Sequence, residues 1–340
     1  MKNKNKKNFF VIAEVGQNHQ GKVNLALEYV KIFAGLGADA VKFQIRNNKT
    51  LFSEEAYKAK YNSENAFAKT YGKHREKLEL SYKDLIKVKK ECKKYKVKFM
   101  VTPFDEESLE KICKIGVDII KIASFDLGNL PLIHRIASKK KTTVISVGGG
   151  NMKQITSSIK TLKKNLKNII ILHCNSEYPT PYQRLGLGNI VTLKKKFKKC
   201  IIGSSDHFNG ILSGPIAYML GARVFEKHVT LNRSWRGTDH SFALEPEGFR
   251  KFVRDIERTP EMLPLKNKIL IGKEAVFKKL GKSITTNKIV KKNKKIKITD
   301  LTGMIFQDNF IPVRMSNEII GKKALKDLLP GKPIIKGDYK

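Results

Sequence analysis

The sequence lacks a long hydrophobic run: no stretch approaches the ~18 apolar residues that a membrane span needs,. Its N-terminus, MKNKNKKNFF, is basic, but the apolar stretch behind it is one strand long and runs into Glu14. It offers neither the hydrophobic region nor the small-residue cleavage site of a secretory leader. Cysteine is scarce, and Cys92, Cys113, Cys174 and Cys200 show no CxxC or metal-type spacing. No disulfide framework or structural zinc site is implied, so reduced thiols in a cytoplasmic protein are the expectation. Acid is in short supply too: 31 Asp and Glu stand against 68 Lys and Arg, a formal net charge of +37. The lysine excess is spread along helical segments such as 160–167 (KTLKKNLK) and 194–199 (KKKFKK), as on solvated outer faces,. No nucleic-acid-binding module accompanies it, so nucleic acid is not the expected ligand. The same field would draw in an anionic substrate.

What is present is patterning. A hydrophobic fraction of 41% is ordinary for a globular protein, and 340 residues allow one large core with a small second domain,. Short β-rich runs recur at 9–14, 39–43, 97–101, 118–122, 143–147, 168–172, 200–204 and 223–227. Helical spacing falls between and after them, near 22–36, 81–95, 105–115, 129–139, 151–165, 187–197, 209–220 and 245–257. Eight strand–helix alternations predict a (β/α)8 TIM barrel over 1–258. A doubly wound open sheet is the alternative; it would usually open with a Gly-rich phosphate fingerprint, and GQNHQG has the wrong spacing for one,. Segments 44–80, 173–186 and 228–244 read as long loops at the C-terminal ends of strands, where a barrel places its chemistry. TPEMLPLKNK, with two prolines, opens a linker over 259–277,. Residues 278–340 read as a small β-rich domain whose strand-like runs are KSITT, KIKIT and KPIIK, with few apolar residues of its own.

Polar residues gather at the predicted strand ends, where a packed barrel has no structural need for them. Glu14, Lys42, Gln44, Thr102, Lys121, Ser124, Ser146, His173, Ser205, Asp206, His207, Glu226 and His228 all fall there. Lys42 and Lys121 interrupt apolar strands, and a lysine buried there without an anion is costly. Facing one mouth with Thr102, Ser124, Ser146 and Ser205, they would suit a phosphate; either could instead point outward or pair with a carboxylate such as Glu14. His207 and His228 close adjacent strands and could converge on a borderline divalent ion, although two histidines alone are a weak signal. Ser205, Asp206 and His207 are consecutive and cannot form a hydrolase triad.

The segments IAEVGQNHQG (12–21), AVKFQ (40–44), VTPFD (101–105), DIIKIAS (118–124), ILHCNSEYPTP (171–181), IIGSSDH (201–207), FEKH (225–228) and RGTDHSFALEPEGF (236–249) resemble the motifs of the N-acetylneuraminate (sialic acid) synthase family. That family includes the legionaminic and pseudaminic acid synthases. The tail, with GKSI and EIIGKKAL…LPGKPI, resembles its C-terminal antifreeze-like (SAF) domain. The resemblance implies a transferase condensing phosphoenolpyruvate with an N-acetylated hexosamine, N-acetylmannosamine or a 2,4-diacetamido-6-deoxy hexose, to a nonulosonic acid and phosphate. It implies a divalent metal, usually Mn2+ with Mg2+ or Co2+ possible, on His207 and His228 to polarise the aldehyde, with Glu14 orienting an oxygen beside it. Phosphoenolpyruvate would be held by Lys42, Thr102, Lys121, Ser124, Ser146, Ser176 and Ser205, and the sugar by Gln44, Asp126, Tyr178 and Asp239. A domain-swapped homodimer is implied as well.

Some positions depart from the family pattern. Ser176 replaces a common Asn, Asp126 a common Glu, and SVGGG (146–150) the usual Ser-Thr-Gly-Met. The SAF stretch expected to present an Arg reads MIFQD (304–308), and Arg314 is the tail's one arginine. Reaction class therefore carries over better than sugar identity. A silent basic barrel that binds polyanions is the reading of another class, and the costly polar strand ends argue against it.

Overall fold

The computed structural model describes residues 7–263 and 274–340. Eight parallel strands close into a barrel in chain order: β1 (Phe10–Gly16), β2 (Ala40–Ile45), β3 (Lys98–Pro103), β4 (Ile119–Ile122), β5 (Thr142–Ser146), β6 (Ile169–Cys174), β7 (Ile201–Asp206) and β8 (Val224–His228). Strand β8 pairs back onto β1, setting Glu14 beside His228. The expected open-sheet alternative is thereby excluded.

Helices α1 (Val23–Gly35), α2 (Asn48–Leu51), α3 (Glu54–Lys58), α4 (Tyr71–Lys77), α5 (Tyr82–Lys94), α6 (Glu106–Ile115), α7 (Leu130–Ser138), α8 (Met152–Lys163), α9 (Asn189–Lys196), α10 (Ser213–Met219) and α11 (Pro246–Met262) complete this unit. Their starts are written locally. Ser81 accepts from the Asp84 amide, and Asn151 forms a reciprocal capping box with Gln154,. Asp105 caps α6 and also accepts from the Asn47 amide at 2.7 Å, tying the chain after β2 to the end of β3. Gly116, at φ 82°, ends α6 in the left-handed conformation that glycine adopts without strain,.

Period-two alternation divides each strand between two cores. One face, including Val11, Ala13, Phe43, Phe99, Ile120, Ile145 and Ile171, packs under the helices. The other fills the lower barrel with Ile12, Ala40, Met100, Ile119, Val144, Ile170, Leu172 and Val224. Two readings change in detail. The stretch 44–80 is a chain of the short helices α2, α3 and α4 rather than plain loop. Helix α11 runs past 258 and through Pro260 to Met262, because in a last turn proline removes one hydrogen bond while Ile256 and Thr259 keep the buried face going,. The rest of the predicted linker lies largely outside the described residues.

The chain divides into two compact units, Met1–Leu263 and Pro264–Lys340. The second holds α12 (Ala275–Leu280) and a two-stranded antiparallel sheet of β9 (Ser283–Thr286) and β10 (Leu301–Met304). KSITT supplies β9, but KIKIT ends in a 3-10 turn at Ile298–Asp300, where Asp300 accepts from the Lys297 amide and competes with extension,. KPIIK contributes Ile334 to the core without forming a strand. That core, Ile284, Val290, Ile296, Ile319, Ala324, Leu328 and Ile334, belongs to this unit itself. Among the described residues no helix is long and apolar enough to cross a membrane.

Candidate active site

The alternation that fills the lower barrel with apolar groups continues upward into polar ones. Two residues beyond Ile12 comes Glu14; beyond Ala40, Lys42; beyond Met100, Thr102; beyond Ile119, Lys121; beyond Val144, Ser146; beyond Val224, Glu226 and then His228. All face a cavity of about 780 Å³ at the C-terminal end of the barrel. Ser124, Ser205, His207, Gln44, Asp126, Tyr178 and Asp239 line the same cavity. Of the residues singled out in the sequence, three stand apart: His173 turns away to the Leu185 carbonyl at 2.8 Å, Asp206 turns outward to Lys227 at 2.6 Å, and the third is Ser176. It lines a smaller adjoining recess with Gly148, Gly149 and Gly150, and its hydroxyl is buried without a hydrogen-bond partner.

The two lysines are buried and paired. Lys42 Nζ lies 3.1 Å from Glu14 Oε2 and 3.2 Å from Glu226 Oε1, and Lys121 Nζ lies 3.7 Å from the latter atom. Both lysines thus face the cavity, and the carboxylates answer for their burial. Burial by itself would raise the Glu226 carboxyl, but Lys121 and Lys42 outweigh it and hold it at about 2,. Burial does raise Glu14, against the opposing pull of Lys42. Burial likewise lowers Lys121, which has the more distant carboxylate. Lys42 also donates to Thr102 Oγ1 at 3.4 Å, and Ser205 donates to Glu226 at 3.0 Å. Ser146 Oγ has no partner, so donors remain for a further group.

His207 and His228 converge, their ring centroids 5.2 Å apart. His207 Nδ1 donates to the Asn175 carbonyl at 2.6 Å, which leaves its Nε2 lone pair available; metal-bound imidazoles are oriented in this way,. His228 Nδ1 is buried without a hydrogen bond, 3.6 Å from Asp239 Oδ2, and burial lowers this imidazole to about 3, keeping it neutral. Burial would lower His207, but the Cys174 thiol and the Asn175 carbonyl outweigh it and raise this imidazole,. An oriented His207 that gives up its proton on binding, beside a neutral His228, is a donor set that fits a divalent ion with open positions. Among the described residues no group of three or more His, Cys, Asp or Glu side chains is arranged as a metal site, so any such ion would lean on few protein ligands.

Around the histidines sit the residues expected to meet a sugar. Tyr178 packs its ring 4.0 Å from that of His207, and Phe242 backs both. Asp126 accepts from Asn129 at 2.9 Å, and burial raises its carboxyl. Gln44 donates to Glu14 Oε1 at 2.8 Å. Sequence reasoning placed Glu226 among the polar strand ends but gave it no role, although it shares a strand face with His228. It missed Gln17, Arg46, Asn65, Tyr71 and Arg75, which also line the cavity. The last four were hidden because 44–80 read as undifferentiated loop; Gln17 lies just past β1 in GQNHQG, which was weighed only as a phosphate fingerprint and a family motif.

Comparison with known proteins gives one consistent answer. The model of the NeuB family matches residues 29–268. An N,N'-diacetyllegionaminic acid synthase of Campylobacter jejuni is 35% identical, covering 94% of this chain and 97% of its own. The human N-acetylneuraminate-9-phosphate synthase is 31% identical over 93% of this chain and 88% of its own. The crystal structure of an N-acetylneuraminic acid (sialic acid) synthetase from Leptospira borgpetersenii, in complex with citrate, superposes with a TM-score of 0.69 at 31% identity. It covers 82% of this chain and 95% of that one.

Proposed function

Because the chain belongs to the NeuB family, and its relatives include synthases of N-acetylneuraminate 9-phosphate and N,N'-diacetyllegionaminic acid, we propose that it joins phosphoenolpyruvate to an N-acetylated hexosamine with release of phosphate. The single observation that carries this reading is the polar layer above the barrel plug. Two buried lysines and the Ser146 hydroxyl, which has no partner, lie on one side of it, and two imidazoles, His207 held by the Asn175 carbonyl and His228 without a hydrogen bond at Nδ1, on the other. An anion and a carbonyl are the groups those two sides would receive.

Lys42 and Lys121 exchange part of their pairing with Glu14 and Glu226 for the anionic groups of phosphoenolpyruvate, while Thr102, Ser124, Ser146 and Ser205 donate to its oxygens. Ser176 completes the phosphoenolpyruvate set from the adjoining recess. A divalent ion on His207 and His228, with manganese the first to try, would supply Lewis acidity toward the acceptor aldehyde. The methylene carbon C3 forms a bond to the aldehyde carbon, the aldehyde oxygen becomes a hydroxyl by a proton that balances the one lost from the water added later, and positive charge develops at C2. Water adds at C2, and phosphate leaves with its bridging oxygen by C–O cleavage. Glu14, Glu226 and Asp239 surround this region, and carboxylates stabilise such a cation electrostatically. Gln44, Asp126, Tyr178 and Asp239 hold the sugar, N-acetylmannosamine or a 2,4-diacetamido-6-deoxy hexose. The small C-terminal unit is proposed to act as a SAF cap in a homodimer.

Phosphate release from phosphoenolpyruvate, measured against a panel of N-acetylated aldoses with and without manganese, tests the reading and selects the sugar. Release that requires both an acceptor and the ion is expected. Consumption of phosphoenolpyruvate that ignores every acceptor would overturn it.

A further inference from the structure

The charged groups where the chain leaves β2 have no part in the scheme above, yet they are tightly ordered. Arg46 follows Gln44 by two residues and is buried. Its guanidinium stacks on the Phe104 ring at 4.4 Å, donates through Nη1 to Glu79 Oε1 at 2.9 Å, and through Nη2 to Gln44 Oε1 at 2.8 Å. The Arg46 amide also donates to Glu79, so one carboxylate fixes both ends of the residue. On its other side Gln44 donates from Nε2 to Glu14 Oε1 at 2.8 Å.

These bonds allow the Gln44 amide one orientation. Turning it over would set its NH2 against the guanidinium and its carbonyl against the Glu14 carboxylate, so both contacts would become repulsive. The pattern repeats one step further out. Gln17 donates to Glu79 at 3.0 Å and accepts from Arg75 at 2.6 Å. Carboxylates and guanidiniums thus alternate along Glu14, Gln44, Arg46, Glu79, Gln17 and Arg75, and each amide is held between one of each sign.

We infer that Arg46 is a positioning residue that fixes the Gln44 amide, and through it Glu14, for binding of the acceptor. The inference rests on the function proposed above. An amide has two donors and an acceptor oxygen with two lone pairs, so with one N–H given to Glu14 and one lone pair to Arg46 Gln44 keeps one of each for the acceptor. Their directions are set before the acceptor arrives, which lowers the ordering cost of binding. Lysine could not replace this arginine. A single ammonium keeps the attraction to Glu79 but lacks the planar fork that reaches Gln44 at the same time.

Arg46→Lys is therefore expected to raise the acceptor KM at least fivefold and lower kcat, with the KM for phosphoenolpyruvate within twofold of the parent. Gln44→Met should do the same, and the double variant should be no worse than Gln44→Met alone, since Arg46 acts through that side chain. Additive losses, or equal changes in both KM values, would overturn the inference. A readout without substrate separates it from the proposed function. In the full-length protein labelled with 15N-glutamine, the Gln44 NH2 pair, assigned by its loss in Gln44→Met, should be rigid by heteronuclear NOE and become mobile in Arg46→Lys. A Gln44 amide equally rigid in both proteins sinks the positioning role whether or not any acceptor is turned over. A parent protein that releases no phosphate with any acceptor sinks the reaction instead. If Arg46→Lys fails to fold, Arg46→Met with Glu79→Gln removes the buried charges together and gives the same NMR readout.

Discussion

At the ends of β7 and β8 the same two strands present opposite faces to opposite tasks. Facing outward, Asp206 and Lys227 sit side by side in the strand register, and every bond they need is made. Asp206 accepts from the Phe208 amide at 2.9 Å, from the Ser213 hydroxyl, and from Lys227 Nζ at 2.6 Å; Lys227 also donates to the Phe208 carbonyl. Facing inward, one residue away, His207, Glu226 and His228 are as deeply buried, but two of the three are incompletely satisfied. Glu226 Oε2 and His228 Nδ1 have no hydrogen bond. Buried polar groups that are fully paired hold a structure together; buried polar groups kept waiting mark where a ligand belongs. Substitutions on the two faces should therefore fail in different ways.

The largest effect should come from the satisfied face. Lys227→Met strands Asp206 as a buried unpaired carboxylate, and loss of one partner of such a pair costs about 3–5 kcal/mol. Urea unfolding should show that loss, with turnover per folded molecule changed far less. On the waiting face the order reverses. His207→Ala and His228→Ala should each cut turnover by about 10²-fold or more, as should a chelator, while the unfolding midpoint stays near the parent's. A large stability loss in the histidine variants, or activity surviving both substitutions and EDTA, would collapse the distinction between the faces.

Smaller effects sharpen it. Lys42→Met and Lys121→Met each remove a charge-assisted contact of about 1.5–3 kcal/mol, so the KM for phosphoenolpyruvate should rise by about tenfold or more and that for the sugar much less. Lys42→Met also strands Glu14 and Glu226, so of the two it alone should lower the unfolding midpoint clearly,. Equal losses for both substrates would make these lysines part of the frame. The smallest expected change concerns the C-terminal unit, where Arg314 stacks against Phe277 at 5.7 Å. Arg314→Ala should raise the acceptor KM several-fold if Arg314 takes the place of the family arginine missing from MIFQD, and should leave it unchanged otherwise; steady-state kinetics decides.

The barrel was legible in the sequence because strand alternation and helix spacing are local signals repeated eight times. Ile12 followed by Glu14, or Val224 by Glu226 and His228, already places apolar plug and polar rim on one face. Pairing was legible only in part: Glu14 stood out as a possible partner for a buried lysine, and it does meet Lys42. Nothing local says that Lys42 meets both Glu14 and Glu226, since barrel closure brings β1, β2 and β8 together from opposite ends of the unit. The outward turn of Asp206 was readable in principle from its place between Ser205 and His207, but the consecutive residues read as one polar cluster. Arg46 and Glu79 lie 33 residues apart in a stretch without strong periodicity, so their contact emerges only from the fold. In the C-terminal unit, KIKIT has the alternation of a strand, and the Asp300 turn overrides it.

The account's central claim is that the waiting face forms a carbon–carbon bond from phosphoenolpyruvate. Mass spectrometry of the product formed from phosphoenolpyruvate labelled with 13C at the methylene carbon, N-acetylated hexosamine and manganese tests it most directly. One phosphate should appear for each labelled keto acid three carbons longer than the acceptor, and both should form about 10²-fold more slowly or not at all with His228→Ala. Phosphate released without a labelled acid of that mass would contradict the account, because the cavity would then be hydrolysing phosphoenolpyruvate and not condensing it.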